Sequence, residues 1–565
     1  MKNKQIYKNL LYLILALTII ALLAFISSRY FFRVDLTSEK RYTLSESTKN
    51  ILDTIPEVAY IKIYLDGDLP VGFERLKDAS EEILNEFKVH AGEYLQYEFI
   101  NPHEENDPEV RERIFNELYE KGLNPTNIRV KETEGGTSQK IIFPGALVVY
   151  NGIEFPVDLL NNNPGLSAEV NLNNSIQGLE YKFINAIRNL SITNYEKIAF
   201  IEGHGELNDY EVGDVTRALA SYYQVDRGVI NGRVGSLDNY KAVIVAKPSL
   251  PFPEEDKFVL DQYLMNGGKI LWLLDGVKVN RDSLQHGNTL AFINNLNLDD
   301  QLFKYGVRIN PNLIMDIQSA LIPVNTALAG NKPNFAPSPW WYYPLLNTND
   351  AHPVSRNINL VKAEYASSLD TLGGAKNYIK KTFLLASSRL TKIQQVPAFI
   401  SLSQVKDQPS QKEFAHSFIP VGVLLEGKFE SVFTNRILDG FDIKGEYLFK
   451  ERSSNTKMIL IADGDMIKND VRMTPNGPAI TPLGYDRFSN QTFGNKDFIL
   501  NAVNYLTDET GIMSLRSREF KLRLLDRQKI RDEKLKWQLI NVVLPILLVV
   551  IFGFIITFIR KRKYT

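Results

Sequence analysis

A long apolar run lies near each end of the chain, and these two runs constrain its fold more than any other feature. The first is LLYLILALTIIALLAFI, residues 10–26, and the second is LINVVLPILLVVIFGFIITFI, residues 539–559. Neither run contains a charged side chain, and a helix needs roughly 20 apolar residues to cross a bilayer. Aromatic residues 30–32 extend the first, shorter run as an interfacial belt. We therefore predict two transmembrane helices, with residues 27–538 between them.

The charges that flank the two runs predict their orientation. Lys2, Lys4 and Lys8 precede the first run, and the basic residues 560–563 follow the second. Because Lys and Arg mark the cytoplasmic side, both termini are expected in the cytoplasm and the bulk of the chain in the periplasm, at the inner membrane. A removable signal peptide is the alternative for the first run. The length of the run and the lack of a small-x-small cleavage site favour an uncleaved anchor.

Composition and missing motifs exclude several functions. The formal net charge of −1 leaves no electrostatic footprint for nucleic acid, so no nucleic-acid partner is expected. The chain has no cysteine, which excludes disulfides, thiolate metal sites and cysteine nucleophiles. It contains no G-x-x-x-x-G-K-[ST] phosphate loop, no G-x-S-x-G elbow and no H-E-x-x-H zinc motif. We predict a chain that is not an enzyme and has no cofactor and no bound metal.

Residues 1–32 are read as a cytoplasmic tail and first anchor, and residues 33–190 as a first α/β unit. Strands and helices alternate there and end in a hairpin around Asn151-Gly152, the strongest short hairpin signal. The elements are a strand at 58–65, a helix at 76–87, a strand at 95–100, a helix at 109–121, and hairpin strands at 146–150 and 153–159. This order predicts a thioredoxin-like layer in a structural version, without cysteine. Apolar residues from Ile176 to Leu190 step by three and four, which predicts a linking helix.

Residues 191–513 predict a doubly wound, parallel-sheet α/β domain of the flavodoxin or glutamine-amidotransferase type. Continuous apolar strands separated by helices are typical of a parallel sheet that is covered on both faces. The elements are strands at 197–201, 242–246 and 269–275, helices at 211–222 and 254–265, further strands at 382–387, 419–427 and 457–463, and a closing helix at 498–506. The Pro- and Asn-rich residues at about 280–380 predict an insertion.

The segment 514–538 is read as a stalk that leads into the second span at 539–559 and the basic tail at 560–565. It contains FKLRLL, residues 520–525, which alternates like a strand, and then a charged stretch. A rigid helix is one interpretation of that stretch. A solvated charged face is the other.

Acidic side chains and one histidine follow three of the predicted strands. They are Glu202, His204, Glu206, Asp275, Asp463 and Asp465. Ligands of open parallel sheets bind beyond the carboxyl ends of the strands, so these side chains are the candidate ligand rim. Carboxylates with an imidazole could bind a divalent cation or hydrogen-bond sugar hydroxyls. The alternative is that the Gly and Asp residues only form tight turns and helix N-caps.

Trp340 and Trp341 belong to a run of four aromatic residues between Pro339 and Pro344. Such a run can form an aromatic platform for a sugar or a partner protein. Aromatic residues between prolines are more often local core, and both interpretations stay open at this stage.

The sequence resembles a known family along nearly its whole length. The segments RVDLTSEKRYTLSESTKNIL (33–52), KIAFIEGHGEL, GGKILWLLD, VLLEGKFESVF and LIADGDMIKND resemble membrane-anchored auxiliary proteins of ABC transporters, in the same order. The ending, from RLLDRQK to the basic tail, is similar to the gliding-motility GldG family of Bacteroidetes. The likeness is weakest across residues 280–410.

The resemblance implies a non-catalytic, substrate-binding-like auxiliary subunit that acts with a GldF-like permease and a GldA-like cytoplasmic ATPase. The missing phosphate loop fits a subunit whose ATPase is another chain. The central domain also resembles one shared with intraflagellar-transport proteins, for which carbohydrate binding has been suggested. Two other functions stay open: a periplasmic module that binds envelope polysaccharide through the rim and Trp340-Trp341, and a metal-dependent hydrolase that uses Asp463 and Asp465.

Overall fold

A computed structural model gives the structure of the chain. It describes residues 11–22, 43–131, 137–163, 165–192, 195–325, 334–372, 378–407, 409–410, 412–437, 448–475, 477–517 and 527–564. The chain divides into two compact units, Met1–Arg518 and Glu519–Thr565, which are described separately below.

The helices are α1 (Leu11–Leu22), α2 (Glu46–Leu52), α3 (Val71–Ala91), α4 (Pro108–Glu120), α5 (Ala168–Gln177), α6 (Leu179–Ser191), α7 (Gly213–Leu219), α8 (Glu254–Met265), α9 (Arg281–Gln285), α10 (Asp299–Tyr305), α11 (Asn495–Thr507) and α12 (Arg527–Tyr564). Short 3-10 helices lie at Gly92–Tyr94, Leu402–Lys406, Asp465–Ile467 and Ile512–Ser517.

The strands up to the end of the parallel run are β1 (Ala59–Ile63), β2 (Leu95–Phe99), β3 (Thr126–Lys131), β4 (Thr137–Ile142), β5 (Gly145–Tyr150), β6 (Ile153–Asp158), β7 (Lys197–Glu202), β8 (Gln224–Val229), β9 (Ala242–Ala246) and β10 (Ile270–Leu273). The later strands are β11 (Val277–Val279), β12 (Asn288–Ile293), β13 (Val307–Ile309), β14 (Asn312–Asp316), β15 (Ser319–Asn325), β16 (Phe335–Thr348), β17 (Val361–Lys362), β18 (Leu369–Thr371), β19 (Ile379–Ala386), β20 (Thr391–Gln395), β21 (Ala398–Ser401), β22 (Pro420–Glu430), β23 (Arg452–Ile461), β24 (Val471–Thr474), β25 (Gly477–Ile480), β26 (Tyr485–Asp486) and β27 (Gln491–Thr492).

The first α/β layer is a four-stranded sheet in the order β2-β1-β5-β6, in which β1 and β2 are parallel and the other pairs antiparallel. Asn151 and Gly152 join β5 to β6 with φ of 51° and 78°, the left-handed pair that a type I′ turn requires. The predicted order of strands and helices is present, and β3 and β4 add a second hairpin. The thioredoxin-like name for this layer stays a prediction.

The predicted linking helix is interrupted at Gly178, so that Ile176 belongs to α5 and the later apolar residues to α6. Glycine has the lowest helix propensity after proline, which explains why the chain turns there. Helix α6 buries Phe183, Ile184 and Ile187 in the core of the first layer. It therefore closes one face of that sheet.

The large sheet has the order β15-β16-β19-β22-β23-β10-β9-β7-β8, with β17 attached to β16. Strands β8, β7, β9, β10 and β23 are parallel, and numbered along the chain their order is 2-1-3-4-5, as in flavodoxin-like sheets. The parallel sheet that the sequence predicts covers these five strands, whereas β15, β16, β19 and β22 pair antiparallel. Parallel neighbours need a long crossover connection, usually a helix, and in the described residues no α-helix lies between β15 and β23.

Helices cover both faces of the parallel strands, which is why these strands are apolar without alternation. Helices α7 and α11 pack on one face, where Val215 and Phe498 join a common core. Helices α8 and α10 pack on the other face, with Leu260 and Tyr305 against Trp272. The predicted bounds of the second helix, 254–265, agree with those of α8.

The predicted insertion is built largely of strands and follows β10. Sheet β11-β12-β21 and the pair β14-β20 enclose a separate core, to which the long strand β16 contributes Trp340 and Tyr342. This core places the insertion beside the carboxyl ends of the parallel strands.

The unit Glu519–Thr565 contains α12, and within it Glu533–Arg562 is long and apolar enough to cross a membrane. The predicted second span, 539–559, lies inside this segment, and the described end of the predicted stalk, from Arg527, is helical and continuous with it. Residues 520–525 lie outside the described residues.

Helix α1, in the unit Met1–Arg518, is apolar but about 18 Å long, shorter than the ~30 Å hydrocarbon core. The remainder of the predicted first span, residue 10 and residues 23–26, lies outside the described residues. The structure therefore describes one helix of spanning length.

Candidate functional site

The predicted rim residues lie at the carboxyl ends of the parallel strands, the edge at which open α/β sheets bind ligands. The order of the strands reverses between β7 and β9, so the switch point lies there. The structure divides the six predicted residues into an acidic cluster, a histidine cluster and Glu202.

The acidic cluster consists of Asp275, which follows β10, and Asp463 and Asp465, which follow β23. Each offers a carboxylate oxygen within 4.8 Å of the others. The N–H of Gly464 donates to Asp275 Oδ1 at 2.6 Å, and the N–H of Asp465 donates to Asp463 Oδ1 at 2.8 Å. The structure brings these three side chains together because β10 and β23 are adjacent and parallel, so that both strands end at the same edge of the sheet.

Two cationic side chains already contact these carboxylates. Lys247 Nζ, directly after β9, lies 3.1 Å from Asp275 Oδ2 and also contacts Asp465 Oδ2. Arg281 Nη2 lies 2.5 Å from the same oxygen of Asp465. Three carboxylates at this spacing would otherwise suit a divalent cation. In this chain the ammonium and the guanidinium supply the positive charge.

Burial and mutual repulsion set the charges of the cluster. Burial, with Asp465 and Asp275 nearby, holds the pKa of Asp463 well above its usual range. Burial alone would lower the pKa of Lys247, but the carboxylates of Asp465 and Asp275 outweigh it and raise this pKa. These shifts favour the protonated form of Asp463 and the charged form of Lys247.

Glu364 extends the network into the insertion. Its carboxylate lies 2.7 Å from Arg281 Nη1 and 2.8 Å from Lys362 Nζ, and its N–H donates to Asp463 Oδ2 at 2.8 Å. Burial would raise the pKa of Glu364, yet Arg281 and Lys362 hold it far below its usual range. The network thus joins the insertion to the sheet through buried ion pairs.

The histidine cluster lies at the end of β7, where His204 is only 2% exposed. Its Nδ1 lies 3.0 Å from Glu206 Oε1 and its Nε2 lies 2.9 Å from Asp256 Oδ2, while the ring stacks on Phe252 with centroids 3.7 Å apart. Burial would lower the pKa of His204, but the two carboxylates raise it to about 9. The ring is an imidazolium at neutral pH with both N–H groups donated, so it has no lone pair for a metal.

The remaining predicted residues lie elsewhere. Glu202 pairs with Arg227 at 2.7 Å and joins neither cluster. Trp340 is 2% exposed and lies in the core of the insertion, while Trp341 is half-buried with its ring 5.3 Å from that of Phe414. This placement corresponds to the local-core interpretation of the aromatic run.

The other side chains of these clusters and their network were not predicted: Phe252, Lys247, Asp256, Arg281, Lys362 and Glu364. Lys247 could have been found, because it directly follows the buried strand AVIVA and so lies at the same edge as Asp275. Asp256 lies in the first turn of α8, where acidic residues are common for other reasons. Arg281 and Glu364 belong to the insertion, and no periodic pattern in that segment places them at the sheet.

Two family models match separate segments of the chain, and one known protein is similar to it along its full length. A family described as an ABC-type uncharacterized transport system, of the ABC-transporter auxiliary type, matches residues 195–502, and a domain of unknown function matches residues 38–149. An uncharacterized protein of Borreliella burgdorferi is 22% identical over 576 residues, covering 100% of each chain. A solved structure titled "mmIFT52 N-terminal domain" aligns with 13% identity and a TM-score of 0.30, over 55% of this chain and 97% of that one.

Proposed function

The chain belongs to the family of ABC-transporter auxiliary proteins, and on this premise we propose that it is a non-catalytic, membrane-anchored subunit of an ABC-type transport complex. The observation that carries the proposal is the family match, which includes the parallel strands, the insertion and both clusters. The chain has no phosphate loop of its own, so ATP hydrolysis belongs to another subunit. Helix α12 supplies a membrane anchor beside the permease.

In the proposed topology both termini are cytoplasmic and the α/β domains lie in the periplasm. The basic residues that follow α12 and precede α1 support this orientation. The two spans pack on a permease, while the folded part presents its surface to cargo outside the cytoplasm.

A narrower form of the proposal assigns the complex to gliding motility, with a GldF-like permease and a GldA-like ATPase. Support comes from the ending of the chain, which resembles the corresponding gliding-motility proteins. Deleting the gene in its own host tests this narrower form, since surface movement would stop while growth continues. Unchanged movement would remove the gliding role and leave the transport role.

Affinity purification tests the transport role itself. A tagged full-length chain, extracted from membranes of its own host with a mild detergent, should recover a permease and an ATPase. A charged residue in the span, Val549→Arg, should reduce this recovery, because a charge at the bilayer centre costs roughly 3 kcal/mol or more. Met473→Arg, at a position 82% exposed, is the matched control and should leave recovery unchanged. If the wild-type chain recovers neither partner, the proposal is wrong.

No observation favours the alternative carbohydrate-binding function. Stacking on a sugar needs an exposed ring face, and Trp340 is buried. Lys247 and Arg281 already occupy the acidic cluster. The transport-subunit proposal therefore stands alone.

A further inference from the structure

A cleft of about 910 Å³ separates the first α/β layer from the domain of the large sheet, within the unit Met1–Arg518. The end of β6 and helix α6 line one side, and the start of α11 lines the other. Phe155 of the first layer and Tyr222 of the second domain both line the cleft, with ring centroids 6.2 Å apart. Binding sites for small molecules commonly lie between domains and have volumes of about 300–1,000 Å³.

Lys182 of α6 lines this cleft, and its ammonium has only neutral partners among the described residues. Its Nζ donates to the carbonyl oxygens of Asp158 (2.7 Å) and Leu159 (3.1 Å) and to Asn161 Oδ1 (2.6 Å). Burial lowers the pKa of Lys182 to about 8. The folded chain thus keeps a partly desolvated ammonium here without a carboxylate in direct contact, an arrangement that costs free energy.

Arg516 is a second cation of the cleft with neutral partners. Its Nε donates to the carbonyl of Pro353 and its Nη2 to that of Arg356, both at 2.9 Å, and the guanidinium lies 5.2 Å from the ring centroid of Tyr181. Its charge is close enough to contribute to the lowered pKa of Lys182. The two cations repel each other across the cleft.

Four other charged side chains line the cleft: Asp158, Arg356, Lys496 and Asp497. The carboxylate of Asp497 is close enough to raise the pKa of Lys182 in part, while Arg356 adds a further cation. Lys496 is paired with Asp214 at 3.1 Å and is therefore neutralised. Burial raises the pKa of Asp158, which favours its neutral form. Lys182 and Arg516 remain the groups that an added negative charge would stabilise.

Side-chain amides supply hydrogen bonds in the same cleft. Asn162 and Asn357 line it, and Asn501, also in its wall, has an Nδ2 group without an acceptor among the described residues and is 6% exposed. Amides both donate and accept, so they suit hydroxyl, amide and oxyanion groups alike.

We propose that this cleft binds a hydrophilic solute that carries a carboxylate or phosphate group, which the charges of Lys182 and Arg516 attract while the amides hydrogen-bond its polar remainder. The inference rests on the proposed function for its role, since the solute is then what the auxiliary subunit presents to the permease. Binding itself needs only this chain.

Titration calorimetry of the purified full-length chain in detergent tests the site, with inorganic phosphate and citrate as anionic probes and glucose as a neutral one. We expect one molecule of phosphate or citrate per chain and no binding of glucose. Lys182→Gln should weaken anion binding about tenfold or more, because the ammonium charge that attracts the anion is lost. Lys496→Gln is the matched control, in the same cleft but already paired, and should change affinity little.

Affinity should also fall as the pH rises through about 8, where Lys182 loses its proton. This titration uses the wild-type chain, so it does not depend on the folding of any variant. If Lys182→Gln fails to fold, Lys182→Arg keeps the charge and should keep binding with less dependence on pH. The site is refuted if neither anion binds, if glucose binds equally well, or if the affinity for citrate is the same from about pH 7 to pH 9.

The two proposals fail separately. A chain that binds phosphate or citrate but recovers no permease keeps this site and loses the proposed function. A chain that recovers its permease but binds neither anion loses this site alone.

Discussion

His204 donates both ring N–H groups to carboxylates in a buried position, so the folded chain stabilises its imidazolium form. The folded pKa is about 9, above the unfolded value of about 6.5. A raised pKa contributes stability that is fully present below about pH 6.5 and is lost as the pH rises through about 9. We expect the His204 contribution to the free energy of unfolding to fall by roughly 3 kcal/mol across this window.

Urea unfolding at a series of pH values measures this effect as the difference between the wild type and His204→Gln. The difference should be largest near pH 6 and shrink towards pH 10, because Lys182 and other groups contribute equally to both chains. His352→Gln is the control, since burial lowers the folded pKa of His352 to about 4 and only its unfolded form titrates, near pH 6.5, so its contribution should be constant above about pH 7.5. A difference that is constant with pH would show that folding does not raise the pKa of His204.

Lys247 contacts two carboxylates of the acidic cluster and supplies positive charge there, and removing that charge tests its role. Lys247→Met leaves Asp275 and Asp465 with one cation fewer, so the free energy of unfolding should fall by about 3–5 kcal/mol. The variant should regain stability when Mg²⁺ or Mn²⁺ is added, because an open carboxylate cluster binds such ions, and the wild type should not respond.

Thermal unfolding with and without the metal measures both effects. Lys468→Met is the matched control, because Lys468 forms a partly exposed pair with Glu211 at 2.8 Å and should cost about 1 kcal/mol or less. Equal metal responses in the wild type and in Lys247→Met would contradict the interpretation.

The sequence predicts an element well when the local environment of that element determines its residue types. Strand β9 is continuously apolar because helices cover both of its faces, and its bounds were predicted without error. The hairpin of β5 and β6 was predicted because Asn151 and Gly152 suit the left-handed turn between them. By contrast, the antiparallel direction of β19 and β22 depends on the path of the insertion, and no local pattern encodes that path.

Strand β22 can pair with β19 only if the residue at position 427 has no side chain, and Gly427 meets this requirement. It has φ of 145°, and an added Cβ would lie 2.2 Å from the carbonyl oxygen of Tyr378. Gly427→Ala must therefore move the backbone of β19, and we expect a loss of roughly 3 kcal/mol or more in the free energy of unfolding.

Gly152→Ala is the matched control for this prediction. Gly152 also has positive φ, 78°, but an added Cβ would meet no heavy atom within 4 Å. Only the conformational cost of about 1–2 kcal/mol is expected there. Chemical denaturation of the two variants gives the comparison, and equal losses would show that the contact across β22 and β19 is not the constraint.

At the scale of the whole molecule, the sequence indicates which segment crosses the membrane more clearly than it indicates which side chains meet in the folded domains. Apolar length alone indicates the span in α12, since lipid imposes a simple requirement on composition. The ion-pair network joins side chains such as Lys247 and Glu364 from segments far apart in the chain, and only the assembled fold brings them together. The cleft that contains Lys182 and Arg516 likewise lies between two domains, and no motif in either domain indicates it.

The absence of cysteine from the chain makes the proposed topology directly testable. Met473→Cys places one thiol at a position 82% exposed in the folded unit, and Lys561→Cys places one in the basic end of α12. Neither substitution alters a buried contact, so both variants should fold as the wild type does.

A membrane-impermeant maleimide applied to spheroplasts then reports the side of each thiol. Because the basic residues after α12 favour the cytoplasm, Lys561→Cys should react only after the membrane is permeabilised, whereas Met473→Cys should react in intact spheroplasts. The wild-type chain, which has no thiol, is the blank. Labelling of Lys561→Cys before permeabilisation, or protection of Met473→Cys, would place the folded domains in the cytoplasm. Domains on that side of the membrane could not bind a solute in the periplasm.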